Sequence, residues 1–284
     1  MDISQSLLPD FPLIEQYFGS YIRQLWIHPP KQGRFAQLFA SGNPEGLEHR
    51  LQRTRKAECF QSILNEVGRA DRIRDEESAS RLDARLMNAW AEIRAVDQLM
   101  RERFIDIRKV KTGPDLVARH VSQLYAVQVT RINREPKFGD LPTGDLGKIY
   151  HDSEESIGTF LYRSLEEKVS SFKESFSTGY VRRIVLVTST AHLQDPFNRH
   201  IACRQIAESI LVLPRQRFDE VHWLLDDGNG AIFWAEANAD ICRVRCLVDW
   251  GDDPSDIRRG HYENCYWREV DLASLIPAYI DRQS

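Results

Sequence analysis

The feature that most constrains the fold is a change of hydrophobic period near residue 104. Before it, residues 75–103 carry apolar side chains at intervals of three and four, the spacing of one face of a helix. After it, the segments FIDIRKVK, DLVARHV and QLYAVQVTRI are rich in β-branched and aromatic residues. A long amphipathic helix followed by three strands is therefore predicted. Its apolar stripe consists of Leu82, Leu86, Trp90, Ile93, Val96 and Leu99.

The chain beyond the three strands alternates between helical and extended patterns. A helical pattern, IGTFLYRSLEEKVSSFKESF, precedes RRIVLVTST, an unbroken apolar run typical of a strand buried on both faces. A second helical pattern, NRHIACRQIAESILVL, leads to the strand segment DEVHWLLDD, a Gly-Asn-Gly turn and the segment AIFWAEA. The tail from Ile241 adds a strand and a short helix. This order predicts an α/β fold with a mixed sheet.

The first hundred residues have a different character. Residues 10 to about 103 show helical spacing, interrupted by Pro29-Pro30 and by the stretch 41–44, and contain no alternating segment. We therefore expect a helical N-terminal region over residues 1–85 and an α/β domain over residues 86–284.

Composition narrows the class of protein. No run of about 18 apolar residues occurs in the 284 residues, and the first residues lack the order of a signal peptide, so we expect no membrane contact and a cytoplasmic location. The five cysteines are odd in number and widely spread, which favours a reducing compartment. The absence of a glycine-rich phosphate loop argues against the usual ATPases and dinucleotide enzymes.

Three short motifs fall on the predicted elements in order. Glu92 lies on the long helix, Pro114-Asp115 begins the second strand, and Gln128-Val129-Thr130 lies on the third strand. This arrangement resembles the PD-(D/E)xK superfamily of restriction-endonuclease-like folds. The family has a Glu on the helix before the sheet, Pro-Asp at the second strand, and Glu or Gln, one residue, then Lys on the third. The resemblance covers residues from about 90 to 235, about half of the chain. It implies a restriction-endonuclease-like mixed sheet flanked by helices.

The same resemblance implies metal-dependent cleavage of phosphodiester bonds in DNA or RNA. Hard Mg²⁺ takes oxygen ligands from one or two carboxylates, so Asp115 is expected to be the central ligand for Mg²⁺ or Mn²⁺. Gln128 and Glu92 are expected to complete or orient the ligand shell. Residues 128 and 130 lie two apart on a strand, so both side chains face the same side.

One position departs from the family pattern. Thr130 stands where the family has Lys, and a threonine cannot place a cation beside the phosphate or the attacking water. Lys148 and Lys168, in or just before the following helix, are the candidates to replace it. The alternative is a catalytically inactive nuclease-fold module that binds nucleic acid or a protein partner. By analogy, such folds are found in restriction, repair and phage-defence systems.

Partner binding is indicated by local features rather than by overall charge. The net charge is −4, but the stretches His49–Arg74 and Arg101–Lys111 are basic and suit either a solvated face or a nucleic-acid contact. Four aromatic residues near the predicted site have two interpretations, base stacking or the core. They are Tyr125, Phe138, Tyr150 and Trp223. The helical N-terminal region is a candidate for self-association or for a protein partner.

Simpler interpretations accompany each candidate. Glu92 suits an exposed helix position, Pro114-Asp115 suits an ordinary turn, and Gln128 suits a solvent-facing strand position. A zinc site is the competing constellation, with ligand types that suit tetrahedral zinc. Its residues are Cys242, Cys246, His261 and Cys265. Four residues along a strand span about 13 Å, however, which is too far for the two cysteines of one strand to share an ion.

Overall fold

The computed structural model describes ten parts of the chain, and the element bounds below refer to them. The described residues are 10–30, 35, 38, 44–68, 73–131, 178–188, 218–225, 231–237, 242–247 and 267–271. The helices are α1 (Pro12–Ile27), α2 (Pro44–Thr54), α3 (Phe60–Val67) and α4 (Glu76–Arg101). The strands are β1 (Ile105–Lys109), β2 (Leu116–His120), β3 (Gln123–Arg131), β4 (Tyr180–Thr188), β5 (Glu220–Leu225), β6 (Ala231–Ala237), β7 (Cys242–Leu247) and β8 (Trp267–Asp271).

The eight strands form one mixed sheet in the order β1-β2-β3-β4-β5-β6-β7-β8. Strands β1, β2 and β3 pair antiparallel, β3, β4 and β5 run parallel, and β5 to β8 again pair antiparallel. Parallel neighbours need a long connection between them, whereas antiparallel neighbours need only a turn. The parallel part of the sheet therefore lies where the chain has its two long connections, after β3 and after β4.

Helix α4 has clear start and stop signals. The Asp75 carboxylate accepts a hydrogen bond from the Ser78 N–H at 2.7 Å, and the Ser78 hydroxyl accepts one from the Asp75 N–H, which completes a capping box. At the other end, Phe104 N–H donates to the Leu99 carbonyl at 2.9 Å. Arg103 takes a positive φ of 65° there, so the helix ends in a Schellman motif that turns the chain into β1.

Helix α4 covers one face of the sheet and shares its core with the other helices. Trp90, with none of its side chain exposed, packs edge-to-face on Phe18 of α1 at a centroid distance of 6.0 Å. The same cluster of buried side chains includes Val127 of β3 and Val185 of β4. The helices α1 to α4 and the sheet therefore have one continuous core.

The opposite face of the central strands is also enclosed. Register pairs Gln128 with Ile184, and both side chains are buried together with Leu186 and Val221. Strand β4 thus has consecutive buried residues from Ile184 to Val187, as expected for a strand of a parallel sheet covered on both sides.

The predictions of element type are confirmed where the structure describes the chain. The mixed α/β fold, the helical character of the first hundred residues and the strands predicted between residues 104 and 247 are all present. The two helical patterns at 157–176 and 198–213 lie outside the described residues. The division into regions 1–85 and 86–284 stays a prediction, and α4 runs continuously through that boundary.

Candidate active site

Glu92 faces the sheet rather than solvent. It lies on the same turn of α4 as the buried Trp90 and Ile93, and only 15% of its side chain is exposed. Its Oε2 lies 2.5 Å from Nζ of Lys109, at the last position of β1. Burying a carboxylate is costly unless a cation or hydrogen bonds compensate it, and Lys109 provides both.

Lys109 reaches Glu92 because of its position in the strand. Ile107 and Lys109 lie two apart on β1, and register pairs Lys109 with the buried Leu116, so the lysine points toward α4. Its Nζ also lies 2.8 Å from Oε2 of Glu66 on α3. Burial would lower the pKa of Lys109, but its hydrogen bonds to the two glutamates outweigh burial and raise it. The lysine therefore stays charged and joins α3, α4 and β1.

Asp115 lies beside this group, immediately before β2. The turn from β1 is closed by a hydrogen bond from Val110 N–H to the Asp115 carbonyl at 3.2 Å, and Gly113 takes a φ of 113° that favours glycine. The Asp115 carboxylate oxygen Oδ2 accepts hydrogen bonds from the side-chain amide of Gln128 and, at 2.7 Å, from the N–H of Val129. Two donors of β3 thus fix the orientation of this carboxylate.

The register explains why Asp115 and Gln128 meet. Leu116 pairs with Val127 across the antiparallel strands β2 and β3, so the next pair along is Asp115 with Gln128. Both residues lie toward the carboxyl end of β3, which is the end where open sheets with parallel strands bind ligands. The register thus places Asp115 and Gln128 side by side, and the charge of Asp115 acts on Glu92.

The electrostatics of the group depend on three carboxylates and one lysine. Burial raises the pKa of Glu92, the hydrogen bond and charge of Lys109 lower it, and the charges of Asp115 and Glu66 raise it again. The resulting pKa of Glu92 is about 7. A carboxyl group that titrates near neutrality beside a second carboxylate is typical of catalytic and metal-binding sites.

The predicted site residues are brought together in part. Gln128 donates a hydrogen bond to Asp115, and the charge of Asp115 acts on Glu92, but the side chain of Gln128 lies on the face of the sheet opposite α4. Thr130 is half-buried and, two residues after Gln128 on β3, faces the same side as Gln128. Lys148 and Lys168 lie outside the described residues, so their replacement of the strand lysine stays a prediction.

Lys109 is the residue that the motif comparison missed. The segment Arg101–Lys111 is recognisable as basic, but its charge alone does not separate Lys109 from the other cations. The signal is the alternation of β1, which puts Lys109 on the same side as the buried Ile107. A lysine at a core-facing position requires an acidic partner nearby, and the preceding helix provides Glu92.

The donor set of the group suits a hard cation. Within the described parts of the chain, no group of three or more His, Cys, Asp or Glu side chains is placed to hold a metal ion. Mg²⁺, however, is commonly held by only one or two carboxylates together with water. Burial is the main cause of the raised pKa of Glu92, and the charge of Asp115 adds to it, so a divalent cation would relieve the repulsion between the two carboxylates.

A second buried cluster lies at the carboxyl-terminal end of α4. Arg183 of β4 places Nη1 2.6 Å from Glu102 Oε2 and Nε 2.6 Å from Glu220 Oε2. His222 of β5 lies between the same two glutamates, at 3.6 Å and 3.5 Å. Burial and the charge of Arg183 lower the pKa of His222. We refer to Glu102, Arg183, Glu220 and His222 as the arginine cluster.

The acids of the arginine cluster titrate low. Burial would raise the pKa of Glu220, but the proximity of His222 and Arg183 outweighs burial and brings the pKa to about 2. For Glu102 the same balance, with the same two neighbours, also lowers the pKa. The guanidinium of Arg183 lies 4.9 Å from the ring centroid of Phe104, which completes its enclosure.

The structure describes some of the aromatic and cysteine residues that the sequence suggested as stacking groups or zinc ligands. Tyr125 is buried in the core with its ring 4.7 Å from that of Phe104, so the core interpretation holds for this residue. Cys242 and Cys246 both lie on β7, the arrangement that argues against a shared zinc ion. His261, Cys265, Phe138 and Tyr150, and the side chain of Trp223, lie outside the described part.

Comparisons of the chain with protein-family models, with curated proteins and with solved structures found no match. Among the described residues, no helix is both long enough and apolar enough to span a membrane.

Proposed function

We propose that this protein is a metal-dependent nuclease of the PD-(D/E)xK type, in which Lys109 provides the cation that Thr130 cannot. The observation that carries the proposal is the buried Glu92 carboxyl group, which lies 2.5 Å from Lys109 and whose pKa is raised to about 7 by burial and, to a smaller extent, by the charge of Asp115. A phosphodiesterase needs carboxylates to hold a divalent cation and a positive charge near the phosphate. Glu92, Asp115 and Lys109 supply these groups within one site.

The order of elements supports the family assignment. Helix α4 precedes the antiparallel strands β1, β2 and β3, and β4 lies parallel to β3. Glu92 lies on the helix, Asp115 at the start of the second strand and Gln128 on the third, as the resemblance implies. The agreement extends from the sequence motifs to the pairing of the strands that carry them.

Each residue has a specific role in the proposed reaction. Asp115 and Glu92 would hold Mg²⁺ or Mn²⁺, which stabilises charge on the phosphate and activates a water molecule. Gln128 and the Val129 N–H hold Oδ2 of Asp115 in place. Lys109, which pairs with Glu92 in the absence of substrate, would then pair with a phosphate oxygen. Attack of this water on phosphorus would form the new P–O bond and break the bond to the leaving oxygen, with the proton of the water passing to solvent and the leaving oxygen taking a proton from solvent.

A second candidate is a nucleic-acid-binding module without catalytic activity. Two observations favour it, the neutral Thr130 at the position of the family lysine and the pairing of Lys109 with two glutamates, Glu92 and Glu66. If Lys109 remained bound to these carboxylates when substrate is present, no cation would face the phosphate. Binding would then occur without cleavage.

The experiment that tests the proposal is cleavage of labelled single- and double-stranded DNA and RNA with Mg²⁺ or Mn²⁺. We expect metal-dependent cleavage by the wild type and at least a hundredfold loss in Asp115→Asn, Glu92→Gln and Lys109→Met. Asp106→Asn is the matched control, because it removes a carboxylate that pairs with Arg119 on the exposed surface of β1.

The outcomes separate the two candidates. Cleavage that Asp115→Asn leaves unchanged would contradict the site. No cleavage of any substrate, together with binding of nucleic acid, would favour the inactive module.

A further inference from the structure

Two basic stretches of the sequence meet at one buried carboxylate. Arg53 of α2 belongs to the stretch His49–Arg74, and its Nε lies 2.7 Å from Oδ1 of Asp97. Arg101, the last residue of α4, begins the stretch Arg101–Lys111, and its Nε lies 3.3 Å from Oδ2 of the same carboxylate. Asp97 therefore holds two arginines from different parts of the chain side by side.

The base of this arrangement is rigid. Neither Asp97 nor Arg50 has any exposed side-chain surface, and Arg50 Nε lies 3.2 Å from Oδ2 of Asp97. The guanidinium of Arg50 also lies 5.6 Å from the ring centroid of Trp90, in the centre of the helical core. Asp97 is therefore a fixed partner for Arg53 and Arg101, whose guanidinium groups lose less freedom on binding a ligand than unpaired ones would.

The surroundings of Asp97 are strongly positive. Burial would raise the pKa of this carboxyl, but the hydrogen bond from Arg53 and the charges of three further arginines bring it to about 2. Asp97 is thus ionised at any physiological pH and supplies one negative charge to the three guanidinium groups that pair with it.

The outer side of the arrangement is accessible. Arg53 and Arg101 keep 37% and 35% of their side-chain surface exposed. The Nη2 group of Arg53 is itself buried and has no hydrogen-bond partner within the described part of the chain, so the exposed surface of this arginine belongs to the rest of its side chain. Arg55 and Lys56, which follow α2 directly, are both exposed. Four cationic side chains are therefore exposed or partly exposed at the ends of α2 and α4.

We propose that Arg53 and Arg101 form a binding site for a backbone phosphate of a nucleic-acid strand. The guanidinium fork matches the geometry of phosphate oxygens, and the neighbouring Arg55 and Lys56 suit a polyanion better than a single free anion. The choice of nucleic acid as the ligand rests on the proposed function. We refer to Arg53 and Arg101 as the phosphate site.

The phosphate site and the candidate active site lie on different sides of α4. Asp97 follows Glu92 by five residues on α4, which is about 7.5 Å along the helix axis and about 140° around it. Glu92 pairs with Lys109 of β1, whereas Asp97 pairs with Arg53 of α2. The helical N-terminal region would thus contribute to substrate binding as well as to the core.

The test measures binding separately from cleavage. Fluorescence anisotropy of short labelled single- and double-stranded DNA and RNA would be recorded in the Asp115→Asn background. We expect Arg53→Gln and Arg101→Gln each to raise the Kd about tenfold. Each is also expected to reduce the slope of log Kd against log salt by about one. Arg81→Gln, which removes an exposed arginine near the other end of α4, is the control and should bind as the background does.

The outcomes distinguish this inference from the proposed function. Binding that neither arginine variant weakens would overturn the phosphate site and leave the nuclease proposal untouched. Binding that depends on both arginines, with no cleavage by the wild type, would support the phosphate site and contradict the nuclease. Displacement of the strand by inorganic phosphate at an equal concentration of phosphate groups would overturn nucleic acid as the ligand. Circular dichroism melting of each variant would exclude loss of binding through unfolding.

Discussion

The buried carboxyl groups of Glu92 and Glu220 both lie on the face of the sheet that α4 covers. Glu92, near the middle of α4, has its pKa raised to about 7. Glu220, beside the end of α4, has its pKa lowered to about 2 although it is buried to a similar extent. Burial alone therefore does not decide how a carboxyl group in this protein titrates.

The difference comes from the balance of charge around each group. In the arginine cluster, Arg183 donates from separate nitrogens to Glu102 and Glu220 and is enclosed by aromatic rings. At the candidate active site, one flexible lysine is shared by Glu92 and Glu66, and Asp115 adds a further negative charge. In the arginine cluster, Arg183 already compensates the charges of the buried glutamates. At the Glu92 site, an additional cation would stabilise the carboxylates further. We infer that the arginine cluster stabilises the fold and that the Glu92 site performs the function.

The largest effect that we expect from this comparison is on stability. Arg183→Leu would leave Glu102 and Glu220 buried without their cation, and removing one partner of a buried ion pair costs about 3–5 kcal/mol. Urea unfolding at pH 7 would measure the change in the free energy of unfolding. Arg119→Leu, which breaks the exposed pair with Asp106, is the matched control and should cost less than about 1 kcal/mol. A similar small cost for Arg183→Leu would remove the distinction between the two clusters.

A smaller effect is expected on how the free energy of unfolding depends on pH, and Glu92 determines its sign. The pKa of Glu92 is raised from 4.5 to about 7. Between these two pH values, the folded protein therefore retains a proton that the unfolded chain has released. This carboxyl therefore lowers stability as pH rises from 4.5 through 7. Over that range, the unfolding free energy of Glu92→Gln should increase relative to wild type by about 3 kcal/mol.

Glu220 should show the opposite dependence on pH. Its pKa is lowered from 4.5 to about 2, so the stability that it contributes is present above pH 4.5 and is lost as pH falls toward 2. Urea unfolding of Glu92→Gln and Glu220→Gln across pH 3 to 8 would measure both dependences. The same sign for the two variants would contradict the comparison. Glu77→Gln, on the exposed part of α4, controls for loss of a surface charge.

Much of the fold was predictable from local patterns. The change of period near residue 104 locates both the end of α4 and the start of the sheet, because helical and extended segments bury apolar residues at different spacings. The apolar run in RRIVLVTST correctly predicted a strand covered on both faces. Strand β8 was harder to predict, since its sequence, WREVD, is short and highly charged and lacks an alternating apolar pattern.

The candidate site was predictable only in part. Asp115 and Gln128 could be paired because a short turn fixes the register of β2 and β3. The approach of Lys109 to Glu92 depends on how α4 packs on β1, which no short motif encodes. The meeting of Arg53 with Arg101 depends in the same way on the packing of α2 against α4, so the two basic stretches appear unrelated along the chain.

The measurement that tests the central claim most directly is the titration of the Glu92 carboxyl group, followed by carbon-13 NMR with and without Mg²⁺. We expect a midpoint near pH 7 without the metal and a lower midpoint with it, because the cation binds the deprotonated carboxylate. In Asp115→Asn the midpoint without the metal should fall, and Mg²⁺ should change it less. A wild-type midpoint near 4.5 that Mg²⁺ does not change would contradict the assignment of Glu92 and Asp115 as a metal-binding pair.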